Sequence, residues 1–176
     1  VPRKIPHFLS VDEILSMIDS FKKESKDPDK NLRNFALFLL LYGGGLRVSE
    51  ACDLKTKDFD FRRSSIKVLG KGQKERIVSL PPFVSAQVQK ILKPKTKFVF
   101  GEKGLNPRTA YNIIRAAGAK ANLMKPLNPH ALRHSYATHL LENGMKLHQI
   151  AKLLGHATLD TTQIYTHIVN QIKPKD

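Results

Sequence analysis

The sequence holds a single cysteine, Cys52, among 176 residues. That excludes an internal disulfide framework and fits a reducing compartment. No apolar run reaches the roughly 18 residues that a membrane-spanning helix needs. The start, Val1-Pro2-Arg3-Lys4-Ile5-Pro6, has no apolar stretch of the kind a secretory signal carries. Together these features lead us to expect a cytoplasmic protein with no membrane partner. Internal repeats and low-complexity tracts are absent. Acidic residues are scarce, 15 against 30 Lys and Arg, which leaves a formal charge of +15. A hydrophobic fraction of 41% with 26% charged residues excludes a disordered chain, and the length suits one domain.

Several chemical signatures are also missing. Gly70-Lys71-Gly72-Gln73-Lys74 is not a Walker A loop, because Ser65 stands where the first glycine is needed and Gly72 follows the lysine. His130 and His134 are four residues apart, but no glutamate between them makes a His-Glu-x-x-His pair and no cysteine pair lies near. A zinc site is therefore disfavoured.

The positive charge is unevenly placed. Residues 1–61 carry ten basic and ten acidic side chains. Residues 62–125 hold nearly all the excess: Arg62, Arg63, Lys67, Lys71, Lys74 and Arg76 face only Glu75, and a further run from Lys90 through Arg108 and Arg115 to Lys125 faces only Glu102. A basic middle of this kind is the footprint of a partner rich in phosphates, so nucleic acid is expected.

The apolar pattern predicts a mainly α fold with one small antiparallel β-sheet. The first nine residues, with two prolines and no period, read as a linker (1–9), and the single domain occupies 10–176. Ser10 and Glu13 form a capping box before the stripe Val11, Ile14, Ile18 and Phe21. Asp27-Pro28-Asp29 separates this helix from a strongly apolar one holding Leu32, Phe35, Ala36, Leu39 and Leu40, which Gly43-Gly44-Gly45 ends. A short helix runs from about Arg47 to Leu54. Residues 65–69 and 74–80 around Gly70–Gln73 read as a hairpin, with Phe59 to Phe61 a candidate third strand. Pro81-Pro82 stops the sheet and a helix spans Phe83 to Leu92. Asn106-Pro107 and Asn128-Pro129 each open a helix by an N-cap followed by proline. Gly144 and Gly155 punctuate later helices, and a last one runs from about Asp160 past Tyr165.

Arg47, Lys71, His130, Arg133, His156 and Tyr165 fit one reaction without a metal. Negative charge builds on the non-bridging oxygens of a phosphodiester as it is cleaved, and planar arginine clamps it in bidentate fashion. A tyrosine hydroxyl can attack phosphorus and a lysine ammonium can protonate the leaving oxygen. Each residue taken singly also has an ordinary reading, as a surface arginine, a plain turn or a half-buried tyrosine.

The set closely resembles the catalytic domain of tyrosine recombinases, the Xer-type and phage-integrase family, over roughly residues 8–170. The likeness rests on Gly45-Leu46-Arg47-Val48-Ser49-Glu50, on Gly70-Lys71-Gly72-Gln73-Lys74-Glu75-Arg76, on His130-Ala131-Leu132-Arg133-His134-Ser135-Tyr136-Ala137-Thr138-His139, and on Leu153-Leu154-Gly155-His156 with Thr161 to His167. The resemblance implies Arg47 and Arg133 as the phosphate clamp, Lys71 as the acid for the 5′-oxygen and His130 as the acid/base serving the tyrosine. It implies His156 in support of the transition state, Tyr165 as the nucleophile forming a 3′-phosphotyrosine, and Glu50 in support of the pocket. Neither metal nor cofactor is implied. Arg62, Arg63, Lys67, Lys74, Arg76, Arg108 and Arg115 are expected to touch DNA. Implied partners are double-stranded DNA, a homo- or hetero-tetramer of protomers on paired sites, and a DNA translocase as a candidate activator, in a nucleoid-associated setting. The implied roles are DNA integration or chromosome-dimer resolution. The family's amino-terminal core-binding domain is not in this sequence, and 11 residues follow Tyr165, little of the segment that protomers exchange. Two rival readings remain: a type IB topoisomerase-like nicking-closing enzyme, and a non-catalytic DNA-binding module suggested by the helix-turn-helix-like stretch from Leu147.

Overall fold

Side-chain caps set where four of the helices begin in the computed structural model, which describes residues 8–142 apart from the side chain of Lys71. Helix α1 spans Val11–Lys22. Glu13 N donates to the Ser10 hydroxyl at 3.2 Å while Ser10 N donates to Glu13 Oε1 at 3.0 Å, so the predicted capping box is present. Helix α2, Pro28–Gly43, opens on Asp27, whose carboxylate accepts from Lys30 N at 3.1 Å, with Pro28 in the first turn where its missing N–H costs nothing. From Phe35 to Gly43 every residue of α2 is buried. A helix apolar on all sides belongs in the centre, and α2 packs against every other α-helix among the described residues. Each fully buried leucine there, Leu37, Leu39 and Leu40 among them, contributes about 1.5–3 kcal/mol relative to exposure. Phe21 stacks on Phe35 with centroids 5.1 Å apart, and Phe83 meets Phe35 edge-on, closing α1 and the helix that follows the sheet over this core.

The middle of the chain carries α3, Val48–Cys52, then strands β1, Phe59–Asp60, β2, Ser65–Leu69, and β3, Glu75–Ser79. They form one antiparallel sheet in sequence order, with Ile66 opposite Val78 and Val68 opposite Arg76. The candidate third strand is therefore real but only two residues long. Helix α4, Pro82–Gln89, starts one residue earlier and stops three earlier than the apolar pattern suggests. Pro82 serves as a first-turn residue, and Pro94 disfavours helical backbone at Lys93. Helices α5, Pro107–Lys120, and α6, Pro129–Glu142, open on Asn106 and Asn128 as predicted; their side chains accept from Arg108 N at 2.8 Å and Ala131 N at 2.9 Å. No helix among the described residues is long and apolar enough to cross a membrane. The later helices expected around Gly144, Gly155 and Asp160, and the helix-turn-helix-like stretch, lie outside the described residues.

Leu9, expected within the linker, belongs to the core. Its N–H donates to the Ser135 hydroxyl at 2.7 Å, and its carbonyl accepts from His139 Nε2 at 2.8 Å. A carbonyl only accepts, so Nε2 carries the proton and Nδ1 accepts the Tyr42 hydroxyl at 2.7 Å. Burial holds the His139 pKa below the ordinary imidazole range, against the opposing pull of the Leu9 bond, so the ring is neutral at pH 7. The segment entering the domain is thereby fastened to α6.

Tight packing of α5 gives a first test. A Cβ at Gly118 would sit 2.7 Å from Leu127 Cβ, closer than real contacts allow. Gly118→Ala should lower the unfolding free energy by about 1–2 kcal/mol, since overpacking outweighs the gain in helix propensity. Urea denaturation would read it, and an unchanged or higher midpoint would refute the packing account.

Candidate active site

Arg47 is placed by the glycine run before it. Gly45 adopts a positive φ of 64°, a conformation that glycine takes without strain, and it brings the chain round so that Arg47 caps α3. The Arg47 backbone N–H donates to Glu50 Oε1 at 2.8 Å, and its guanidinium lies 3.9 Å from Glu50 Oε2 with its side chain 45% exposed. Arg47 thus stands at the surface with its root fixed by a buried carboxylate.

That carboxylate is held from the sheet. Arg76 donates Nη1 to Glu50 Oε2 at 2.5 Å and Nη2 to Oε1 at 2.9 Å, a two-pronged pair with side chains 1% and 5% exposed. Arg76 is therefore not one of the DNA contacts expected of it. Its guanidinium is out of reach of a duplex and already taken by Glu50. Strand parity explains the placement: Arg76 shares a face with Val78 and sits opposite Val68, both buried, while Ile77 and Glu75 point outward. Burial alone would raise the Glu50 pKa. The Arg76 hydrogen bonds, the Arg47 N–H and the charges of Arg76 and Arg133 outweigh it, and the carboxyl ends below its ordinary range.

Arg133 joins the cluster from α6, in the second turn behind the Asn128 cap. Burial pushes its guanidinium down to about 10; the charge of Arg47 adds to this, Glu50 opposes it, and Arg76 adds again. It stays ionised at neutral pH. Arg47 and Arg76 thus lie against one carboxylate, the charge of Arg133 acts on it as well, and the group carries an excess of positive charge that a bound anion would relieve.

The structure sets Arg47 beside Glu50, adds Arg76, and places Arg133 near enough for its charge to act on Glu50. His130 is exposed one turn before Arg133 on α6. His134 packs its ring edge-on against Phe8 at 6.0 Å. The backbone of Lys71 begins the short turn between β2 and β3, with Gly72 at φ 76°. His156 and Tyr165 lie outside the described residues. Arg62, Arg63, Lys67, Lys74, Arg108 and Arg115 are all exposed, although Lys67 faces Glu75 at 3.6 Å and Arg63 faces Asp60 at 4.0 Å. Ser135 and His139 were not singled out from sequence, because a serine and a histidine in mid-helix carry no signal of a backbone partner more than a hundred residues away.

Comparison with known proteins identifies the family and the fold. The phage integrase family profile matches residues 7–171. The chain is 41% identical over 179 residues to a tyrosine recombinase of Thermosipho africanus, covering 98% of this chain and 61% of that protein. It superposes on the crystal structure of XerA recombinase with a TM-score of 0.75 at 32% identity, covering 99% of this chain and 68% of XerA. XerH site-specific recombinase, in a post-cleavage complex with palindromic difH substrate, gives a TM-score of 0.75 at 29% identity, covering 96% and 51%. The chain spans about three fifths of the length of the curated relatives it matches. With the family profile covering nearly the whole chain and the helical, small-sheet architecture shared with these structures, the chain belongs to the phage integrase family.

Proposed function

We propose that this domain cleaves and rejoins DNA strands at specific sites through a 3′-phosphotyrosine intermediate. The observation that carries the reading is Glu50 held by Arg76 and lying beside Arg47, with the charge of Arg133 acting on it from α6. Arg76 neutralises Glu50, so the charges of Arg47 and Arg133 remain for an incoming phosphodiester. XerH, held after cleavage on its difH substrate, supports DNA as the substrate of this chain too.

In this reading the Tyr165 hydroxyl gives its proton to His130 as its oxygen attacks phosphorus and forms the O–P bond. Arg47 and Arg133 bind the non-bridging oxygens, with His156 in support. The bond to the 5′-oxygen breaks as Lys71 hands that oxygen a proton. Reversal of the same steps with a new 5′-hydroxyl rejoins the strand. No outside energy source is required, since one phosphodiester is exchanged for another.

The test is a pool of nicked duplexes from the source genome, in which the short flanking strand diffuses away after cleavage and leaves the enzyme trapped. A protein–DNA band that survives denaturation, on one or a few sequences, is the expected result. Adducts on very many sequences would favour a topoisomerase-like enzyme. No adduct at all would favour a binding module.

The clamp is tested on the sequence so found. Arg133→Ala and Arg47→Ala should each slow cleavage by about 100-fold or more, the scale for losing one donor to a developing oxyanion. Lysine should restore little, because it lacks the planar fork. A methylphosphonate at the cleaved position removes one negative charge and should reduce the need for one of the arginines. Equal defects on both substrates would remove the electrostatic argument.

A further inference from the structure

We infer that the buried Arg76–Glu50 pair is a positioning device for the β2–β3 turn, with Gly70 the point at which the pair bears on the turn. The inference rests on the proposed function in taking Lys71 as the proton donor. Gly70 closes the root of the hairpin: its N–H donates to the Lys74 carbonyl at 2.8 Å, and its carbonyl accepts from Gln73 N at 3.2 Å. Lys71 is the next residue. The backbone at Gly70 is extended, with φ −88° and ψ −169°, so an alanine could adopt it. Space is what is lacking. A Cβ at this position would lie 3.2 Å from Arg76 Nη1 and 3.7 Å from Glu50 Oε2.

Arg76 cannot readily give way. Its Nη1 is bound to Glu50 at 2.5 Å, and Glu50 is bound in turn to the Arg47 backbone. Its buried Nε has no hydrogen-bond partner among the described residues, so the two prongs to Glu50 set the orientation of the guanidinium. A methyl group at Gly70 should therefore displace the turn and spare the ion pair. Gly72 offers a contrast: its Cβ would meet nothing within 4 Å. One carboxylate thus fixes both the root of Arg47 and, through Arg76 and Gly70, the base of the loop that delivers Lys71.

The test uses Gly70→Ala and Arg76→Lys beside Lys71→Ala, with thermal melts and DNA binding as folding controls. Each is assayed on the identified duplex with its ordinary 5′-bridging oxygen and with sulfur there, a leaving group that needs no proton. Gly70→Ala and Arg76→Lys should slow cleavage of ordinary DNA by about 10- to 100-fold, the cost of misplacing a reacting group by around an ångström. On the sulfur substrate both should approach the wild-type rate, as Lys71→Ala does. If Lys71→Ala is rescued by sulfur but the other two stay equally slow on both substrates, the positioning role is overturned and the proposed function stands. If Gly70→Ala cleaves ordinary DNA at the wild-type rate, the role of Gly70 is likewise overturned. If Lys71→Ala is not rescued, the proton-donor assignment fails and the inference fails with it. Arg76→Lys perturbs a buried charge, whereas Gly70→Ala keeps every charge and decides the question by itself.

Discussion

Replacing Tyr165 with phenylalanine is expected to abolish the covalent protein–DNA adduct while leaving DNA affinity and thermal stability close to wild type. The change removes one oxygen and no ring atoms. If that oxygen is the nucleophile, the loss should be on the order of a million-fold, the scale seen when a nucleophile is taken from a hydrolase. The structure narrows the alternatives. Four tyrosines are present. Tyr42 and Tyr136 are 1% and 2% exposed, and burial pushes both hydroxyls well above the ordinary phenol range. The Tyr42 hydroxyl is also engaged by His139. Neither can meet a phosphodiester. Tyr111 is 43% exposed on α5, which makes Tyr111→Phe the informative control. An adduct lost in Tyr111→Phe and kept in Tyr165→Phe would reverse the assignment, and any adduct in Tyr165→Phe that maps to residue 165 would contradict the chemistry outright.

Local rules written in a few residues explain why so much of this fold could be read from the sequence. Ser10 with Glu13, Asp27 with Pro28, Asn106 with Pro107 and Asn128 with Pro129 each satisfy orphan N–H groups within three residues, so each helix start is a local decision. The hairpin is equally local. For Arg76 two signals in the sequence conflict: its charge points to DNA, whereas its parity with Val78 on β3 puts it inside. Parity should outrank charge wherever a strand has one buried face, because a one-residue slip would invert every side chain. The fastening of Leu9 to Ser135 and His139 was not legible at all. It joins residues 126 and 130 positions apart, and only the packing of α1, α2 and α6 brings them together. The site shows the same division: the spacing of Arg47 and Glu50 was visible, but the arginine that completes the pair comes from another element.

Removing Glu50 should be the most damaging single change to the described part of the domain. Arg76 would be left as a buried, uncompensated charge, and such losses cost about 3–5 kcal/mol. At about 2–4 °C per kcal/mol for a domain of this size, Glu50→Ala should melt far below wild type. Acid should reach the same state by titration. The folded Glu50 carboxyl lies below its ordinary value near 4.5, so its contribution is full above that value and is lost as the pH falls through the folded pKa. Stability measured by urea against pH should therefore fall in acid for wild type, and fall less for Glu50→Gln, which starts lower and has no carboxyl to protonate. The pair can also be removed whole. Glu50→Leu with Arg76→Met removes both buried charges together and should recover most of the stability, since apolar replacements of buried pairs often match them. Cleavage should not recover with it. The Arg47 N–H would lose its acceptor, and the turn before Lys71 would lose the guanidinium it rests on. A double variant that is both stable and fully active would show that the pair serves folding alone; one that is stable and slow would separate the two roles that Glu50 and Arg76 hold together.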